Sequence, residues 1–466
     1  MNKELWHKIE AFQFDNWADE YGFVLRLSKE NLWTKNFTAL AILEYKKFMY
    51  LAATANQMVS PSEIVDIVWH QHLIFTQSYN QFCTLLGKNI QHIPSTHNRA
   101  DFETFKQAKA ITTTLYNAVF GEQPSSIWEN RTMYDGLRVK KAKREHKTTL
   151  IIAFFIFIAL TPIAFFILRP LYVHISSAAF LTTFAFTFIG LAILMNRYNA
   201  NKIEELITNN NRSSFLFDLH PYEVLYIKNG GVKEGVIGTF HELIEQGNLK
   251  VGKDKTIELI HDKIINSREQ AIVLKGLQET DDREYITLLN TFATKTIFSN
   301  QKLIMDALFN NIRNSDKVSK LLSLNLIVLG VFTLLAFMRI VIGISRDKPV
   351  TLIILLTIII VLTFISVLYK ITGSSIEKNI LTYYTNKIIP HKAKEDNWQW
   401  SYVADGPKAL GAALTTLVIL SVAHYATHSH SDSSNGSNSC SSNSSCSSDS
   451  GSSCGSSCGG CGGGGD

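Results

Sequence analysis

The stretch Thr149–Leu168, TLIIAFFIFIALTPIAFFIL, runs for twenty residues without a charge. At 1.5 Å rise per residue, a helix of that length reaches roughly 30 Å, the thickness of a bilayer's hydrocarbon core. A second run, Ile175–Met195, follows after Arg169-Pro170, which reads as the turn of a helical hairpin. A later pair, Leu321–Ile344 and Val350–Tyr369, repeats the arrangement. The mean hydropathy is only +0.06 because these runs are separated by polar segments. The fold class is therefore an all-α multi-pass membrane protein with four or five transmembrane helices.

Basic residues near the ends of the runs set the orientation. Lys140, Lys141, Lys143, Arg144 and Lys147 precede the first run, and Arg197 and Lys202 follow the second. Lys317 and Lys320 precede the third, and Lys370 and Lys378 follow the fourth, whereas only Arg169, Arg346 and Lys348 lie in the opposite loops. This places the amino terminus and the middle segment in the cytoplasm and the spans in a plasma (bacterial inner) membrane. Residues 1–30 are polar and offer no apolar signal segment. Arg339 falls inside the third run, where mid-membrane burial would cost about 2.5–3.5 kcal/mol. It is expected near the outer end, snorkelling, with a functional intramembrane arginine as the sharper alternative. A fifth candidate, Ala409–Ala426, is 18 residues long, rich in Ala and Thr, and contains His424. If it spans, which is the reading preferred, the tail lies outside; if it rests on the surface, the tail stays inside.

A chain of 466 residues has room for roughly three domains, and 46% hydrophobic against 18% charged residues excludes a disordered chain. A net charge of +5 is too small to argue for nucleic acid. Five of the six cysteines lie in the last 27 residues, so the body holds only Cys83 and no disulfide framework. The runs divide the chain into an α-helical cytoplasmic domain (1–135), a basic linker (136–148), hairpin one (149–196), a cytoplasmic domain (197–320), hairpin two (321–370), a cytoplasmic segment (371–408), the fifth candidate (409–426) and a low-complexity tail (427–466).

In the first domain, apolar residues at mixed three and four spacing predict a helix over 38–57. Ser60-Pro61-Ser62-Glu63 predicts the next helix start, with Ser60 as cap, Pro61 in the first turn and Glu63 closing a capping box. Along that helix runs Asp66-Ile67-Val68-Trp69-His70-Gln71-His72. Residues two apart on a helix point about 200° apart, so His70 and His72 cannot share one ion. His72 falls on the apolar stripe with Trp69 and Tyr79 and reads as a buried, hydrogen-bonded histidine. His70 follows Asp66 by one turn, and that pair could form half of a metal or acid–base site. Cys83, His92 or His97 from the following segment would complete it. The histidines lack the i, i+4 spacing of a zinc-protease helix. The competing reading is a structural polar network.

As a whole, Tyr45-Lys46-Lys47-Phe48, Pro61-Ser62-x-x-Val65-Asp66-x-x-Trp69-His70-x-His72, Tyr79-x-x-Phe82-Cys83, Gly87 and His92-Ile93-Pro94 resemble the glycine-rich domain-containing protein family of plants and bacteria. The likeness continues to Thr113-Thr114-Leu115-Tyr116 and Phe120-Gly121. It implies a domain of this type and no established chemistry.

In the second cytoplasmic domain, Pro221–Ile227 and Val236–Gln246 read as short helices closed by Gly230-Gly231 and Gly247. Two alternating segments, 248–252 and 256–260, then flank an Asp254-Lys255 tip. Helix, helix and hairpin in this order predict a small winged-helix-like domain. The second helix would present His241, Glu242, Glu245 and Gln246, an acidic face that phosphates repel, so protein partners on the cytoplasmic side are expected and nucleic acid is not. The segment 266–274 weakly repeats the first helix. Leu219-x-Pro221-x-Glu223-x-x-Tyr226-Ile227-x-x-Gly230-Gly231 with Leu243-x-x-x-Gly247-x-Leu249 resembles an uncharacterised family of bacterial multi-pass membrane proteins that end in a Gly/Cys-rich tail.

From Ser429 to Asp466 there are 17 Ser, 9 Gly and 5 Cys in 38 residues, which cannot bury a core and are expected to stay disordered. Cys440, Cys446, Cys454, Cys458 and Cys461 draw closer together towards the end. Four readings compete: a spacer, capture of Cu(I) or Zn, modification by a Cys-tailoring enzyme, and disulfide cross-linking. With no complete catalytic constellation, the leading expectation is a non-enzymatic membrane scaffold that displays its tail. A membrane-anchored metal enzyme built on Asp66 and His70 is the rival, and a transporter or regulatory component is a weaker third.

Overall fold

Four long helices carry the apolar runs: His146–His174, Ser177–Thr208, Asp316–Ile344 and Thr351–Thr372. By length and composition each can cross a membrane. The computed structural model describes residues 1–93, 99–208, 214–252, 254–262, 265–393 and 397–419. Nearly all regular structure among them is helical. The chain divides into two units, Met1–Val418 and Ile419–Asp466. His97, the end of the fifth candidate span and all five tail cysteines lie outside the described residues.

The turn expected at Arg169-Pro170 falls later. Pro162 and Pro170 both lie within the first long helix, which continues to His174. A proline removes one backbone bond, but breaking the helix there would leave several more backbone groups without a partner. The reversal occurs where a start signal exists, at Ser176, whose hydroxyl accepts from the Ala179 N–H at 3.3 Å. Arg339 of the third long helix reaches this turn. Its guanidinium donates to the carbonyls of Tyr172 (2.6 Å) and Ile175 (3.0 Å) and lies 5.0 Å from the Phe180 ring centroid. The charge thus satisfies carbonyls that the end of the first helix leaves without an intrahelical partner.

The third long helix packs against the other three. Its Leu329 and Ala336 are buried with Phe184, Phe188, Ile353 and Ile360. Asn325, fully buried, exchanges amide hydrogen bonds with Asn199 of the second helix at 2.9 and 3.0 Å. Residues facing away from these contacts are large and apolar, with Phe166 and Phe186 about three-quarters exposed.

The remaining helices build one body with a single continuous core that extends from Trp6 to Val418. The sequence reading separates 1–135 from 197–320, but the structure packs them together. Asp15 pairs with Arg268 and Glu20 with Lys295, and the Lys35 N–H donates to Glu223 at 2.9 Å. The second long helix runs past the expected boundary into this body, where Ile203, Leu206 and Ile207 are buried. The basic linker lies along the start of the third helix: the Ala142 N–H donates to Asn314 O and the Asp316 N–H to Lys140 O, both at 2.8 Å.

Helices Pro221–Asn229 and Lys233–Glu245 are followed by an antiparallel hairpin, Leu249–Val251 with Ile257–Leu259. Two further helices, Arg268–Glu279 and Tyr285–Thr294, continue the module. Helix Ser374–Tyr383 and helix Trp398–Asp405 also belong to the body; Tyr384 bonds Leu216 O and Leu219 N–H and stacks on Trp400. Of the fifth candidate span, Leu410, Leu414, Leu417 and Val418 are buried in the same core.

Candidate metal centre

The helix that carries the Trp-His-x-His motif runs from Glu63 to Ile74. Its cap is Ser62, whose hydroxyl accepts from the Val65 N–H at 3.2 Å. The expected cap, Ser60, lies outside the helix because its N–H donates to Thr112 Oγ1 at 2.8 Å, which holds the chain extended. Glu63 closes no capping box; its carboxylate faces Arg131 at 3.4 Å.

The two histidines of the motif face opposite ways, as helical geometry requires. His72 is completely buried, with Phe14, Phe23 and Phe82 around its ring. The Ser78 hydroxyl donates to Phe14 O (2.9 Å), so it can only accept from His72 Nε2–H (3.2 Å). That leaves His72 Nδ1 to accept from the Tyr45 hydroxyl at 2.9 Å. The network assigns a neutral imidazole, and burial lowers its pKa to about 3 against the opposing bond to Ser78.

His70 points out of the body beside Asp66, one turn earlier. Its Nδ1 is 3.2 Å from Asp66 Oδ2 and 3.0 Å from the Asp66 carbonyl. The third member, His92, arrives from the chain after the next helix. That helix, Thr76–Leu86, ends at Gly87, whose left-handed backbone (φ +69°) turns the chain back. Trp69 Nε1–H donates to the Tyr79 hydroxyl at 3.1 Å, and that hydroxyl donates to Ile90 O. This relay pins the returning segment and seats His92 edge-on against the Trp69 indole at 4.6 Å. His92 Nε2 then lies 2.9 Å from Asp66 Oδ1.

Asp66, His70 and His92 therefore offer three ligand atoms that all lie within 4.8 Å of one another. Donors sharing a zinc ion at about 2.0–2.1 Å in tetrahedral geometry lie roughly 3.4 Å apart. His92 Nε2 is 2.9 Å from Asp66 Oδ1 and His70 Nδ1 3.2 Å from the other oxygen, Oδ2, each a few tenths of an ångström shorter than that value. Two imidazoles and a carboxylate suit zinc and other first-row divalent ions, and three protein ligands leave a position for water. Asp66 and His92 line a cavity of about 590 Å³ together with Ser60, Glu63, Asn89 and Phe105; His70 is not in its wall. Cys83 is not part of it: the thiol is buried in the core, against Tyr79.

The neighbouring motif Tyr45-Lys46-Lys47-Phe48 is built into the structure rather than the site. Lys46 Nζ donates to Glu10 O and Phe12 O at the end of the first helix, Lys3–Ala11. Burial lowers its pKa to about 8. Lys47 pairs at 2.8 Å with Glu44, a fully buried carboxylate that also accepts from Tyr116 and Trp128 at 2.7 Å. Glu44 was missed in the sequence because its partners lie 72 and 84 residues away.

Residues 8–114 match the profile of a family described as UCP032817-like. The match includes Asp66, His70 and His92 and covers less than a quarter of the chain. No curated protein matches the chain, and no solved structure does.

Proposed function

We propose that this is a four-span membrane protein whose body binds one divalent ion of the zinc class at Asp66, His70 and His92. The water in the open position would be activated for hydrolysis of a small substrate held in the adjoining cavity. The observation that carries this reading is the meeting of three donors from two distant segments, oriented by the Trp69–Tyr79–Ile90 relay. Supporting orientation of this kind is what metal ligands need from their surroundings. Elemental analysis of the purified full chain tests it. With the five tail cysteines replaced by serine, one equivalent of metal, lost in His70→Ala and His92→Ala but kept in His7→Ala, is the expected result. A metal-free wild type after zinc loading, with the fold intact, overturns it.

Membrane insertion rests on the four apolar helices and on their exposed apolar faces, which would be costly in water. The basic residues at the body side of the helices favour a cytoplasmic body. The helix–helix–hairpin module is read as a winged-helix-like scaffold rather than a DNA reader. Glu242 on its second helix accepts from Gln270 at 2.8 Å and bonds Gln399, while His241 is buried against Trp398. A face so occupied has no room for a DNA groove.

A second reading, a scaffold that displays the cysteine-rich tail for modification or for Cu(I) or Zn binding, is carried by the five clustered thiols between Cys440 and Cys461. The two readings are compatible, because they concern opposite ends of the chain.

A further inference from the structure

The turns of the two helical hairpins, residues 175–176 and 345–350, lie at the end of the long helices remote from the body. Between them is a cavity of about 600 Å³. Its wall carries Arg339, Arg346 and Lys348 and no acidic side chain. Arg339 donates to the carbonyls of Tyr172 and Ile175, and Arg346 to that of Val173 at 3.4 Å. Those bonds occupy some of the donors but leave the charges without a counter-ion. Asp347, the acid of the same turn, lies outside the wall and forms no ion pair with the three among the described residues. Like charges gathered in one partly apolar cavity repel each other, and an anion between them relieves that repulsion.

The rest of the wall restricts what the anion is. Thr351, Leu352 and Ile353 open the fourth long helix and line the cavity, and Val350 before them supplies no side-chain acceptor to their N–H groups. Arginine forks and free helical N–H groups both suit phosphate oxygens. Beside them the wall is apolar, with Phe180, Leu181 and Ile342, and Leu352 is 69% exposed. A small soluble anion would satisfy the cations and leave this apolar surface uncovered. A phosphate that carries acyl chains would cover both. The rule that puts basic residues on the cytoplasmic side gives no reason for cations at this end, yet three of them converge on one cavity.

We propose that the cavity between the two hairpin turns is a binding site for the phosphate headgroup of an anionic glycerophospholipid, held by Arg339, Arg346 and Lys348. The inference rests on the four-span reading and is independent of the metal centre. Basic pockets between membrane helices recognise headgroups in this way.

Membranes that contain the full chain are first washed with alkaline carbonate. Retention is expected; release would remove the four-span reading and this proposal with it. The retained chain is then purified in a neutral detergent and titrated with phosphatidylglycerol or phosphatidylcholine, the bound lipids being counted by native mass spectrometry. The first phosphatidylglycerol should bind about tenfold more tightly than phosphatidylcholine, whose choline offsets the phosphate charge. A cation beside an anionic headgroup is worth roughly fivefold in affinity, so Arg346→Gln/Lys348→Gln should weaken that first equivalent about thirtyfold. Both side chains are exposed, so folding does not depend on them. Lys140→Gln/Lys143→Gln, at the opposite end of the helices, should leave it unchanged. Equal affinity for the two lipids with the chain retained, or an equal loss in the two double variants, overturns this proposal alone. Glycerol 3-phosphate in millimolar amounts should leave the lipid bound; displacement would assign the cavity to a free phosphate ester and overturn the lipid assignment.

Discussion

His70 and His72 are two residues apart and lead opposite lives. Their spacing on a helix settles which one is buried, and only the tertiary partners settle what each does. His72 is held neutral between Tyr45 and Ser78. Its pKa is about 3 in the folded protein against 6.5 for the free side chain. The stabilisation it represents is therefore complete above about pH 6.5 and is lost progressively as pH falls towards 3. Thermal unfolding followed between pH 7 and 4 should show a falling midpoint. His72→Gln, which can still donate and accept but cannot take up a proton, should show a shallower acid slope. An identical slope in the two proteins would remove His72 from the account. The Asp66–His70 pair was legible in the sequence because one helical turn is a local distance. The choice of His92 over Cys83 was not, because it depends on Gly87 turning the chain and on the Tyr79 bond to Ile90.

Among the elements, the four long helices follow from composition alone, whereas their ends do not. The first helix passes through Pro170 and stops before Ser176, and the motif helix begins at Ser62 rather than Ser60. In each case a nearby hydrogen-bond partner outweighs a residue's average preference. Contacts between helices are set by single polar residues in an apolar setting. Asn199 and Asn325 should couple by about 1 kcal/mol, the usual net worth of a buried hydrogen bond. A double-mutant cycle of Asn199→Leu and Asn325→Leu, read by unfolding in mixed detergent micelles, checks this. Strictly additive losses would mean that each asparagine acts alone.

At the scale of the whole molecule, Leu410, Leu414, Leu417 and Val418 are the decisive residues. They recur at helical spacing and are buried in the same core as the first domain. A segment committed to that core is not available at its start to begin a fifth crossing. We therefore expect four crossings, with the tail leaving from the body's side of the membrane rather than the opposite side. Thiol labelling tests this with an impermeant maleimide. Cys440–Cys461 should react in inside-out vesicles and be protected in right-side-out ones. The opposite pattern would support the fifth span. The mass of the same fragment, released by protease, reports on the tail as well. A shift localised to its cysteines supports the display reading, and five unmodified thiols count against it.

By itself the sequence determined the four apolar helices, the helix–helix–hairpin order and the facing of Asp66 with His70. All of these are local: they depend on uncharged length, on turn residues and on the 3.6-residue period. Tertiary structure alone decided that His92 joins the pair, that Glu44 anchors partners far along the chain, and that the first domain and the helix–hairpin module share one core. It also brought the turns of the two hairpins together around one basic cavity. Those outcomes depend on which distant surfaces bury one another, and a buried donor or carboxylate declares its partner only after the chain has closed around it.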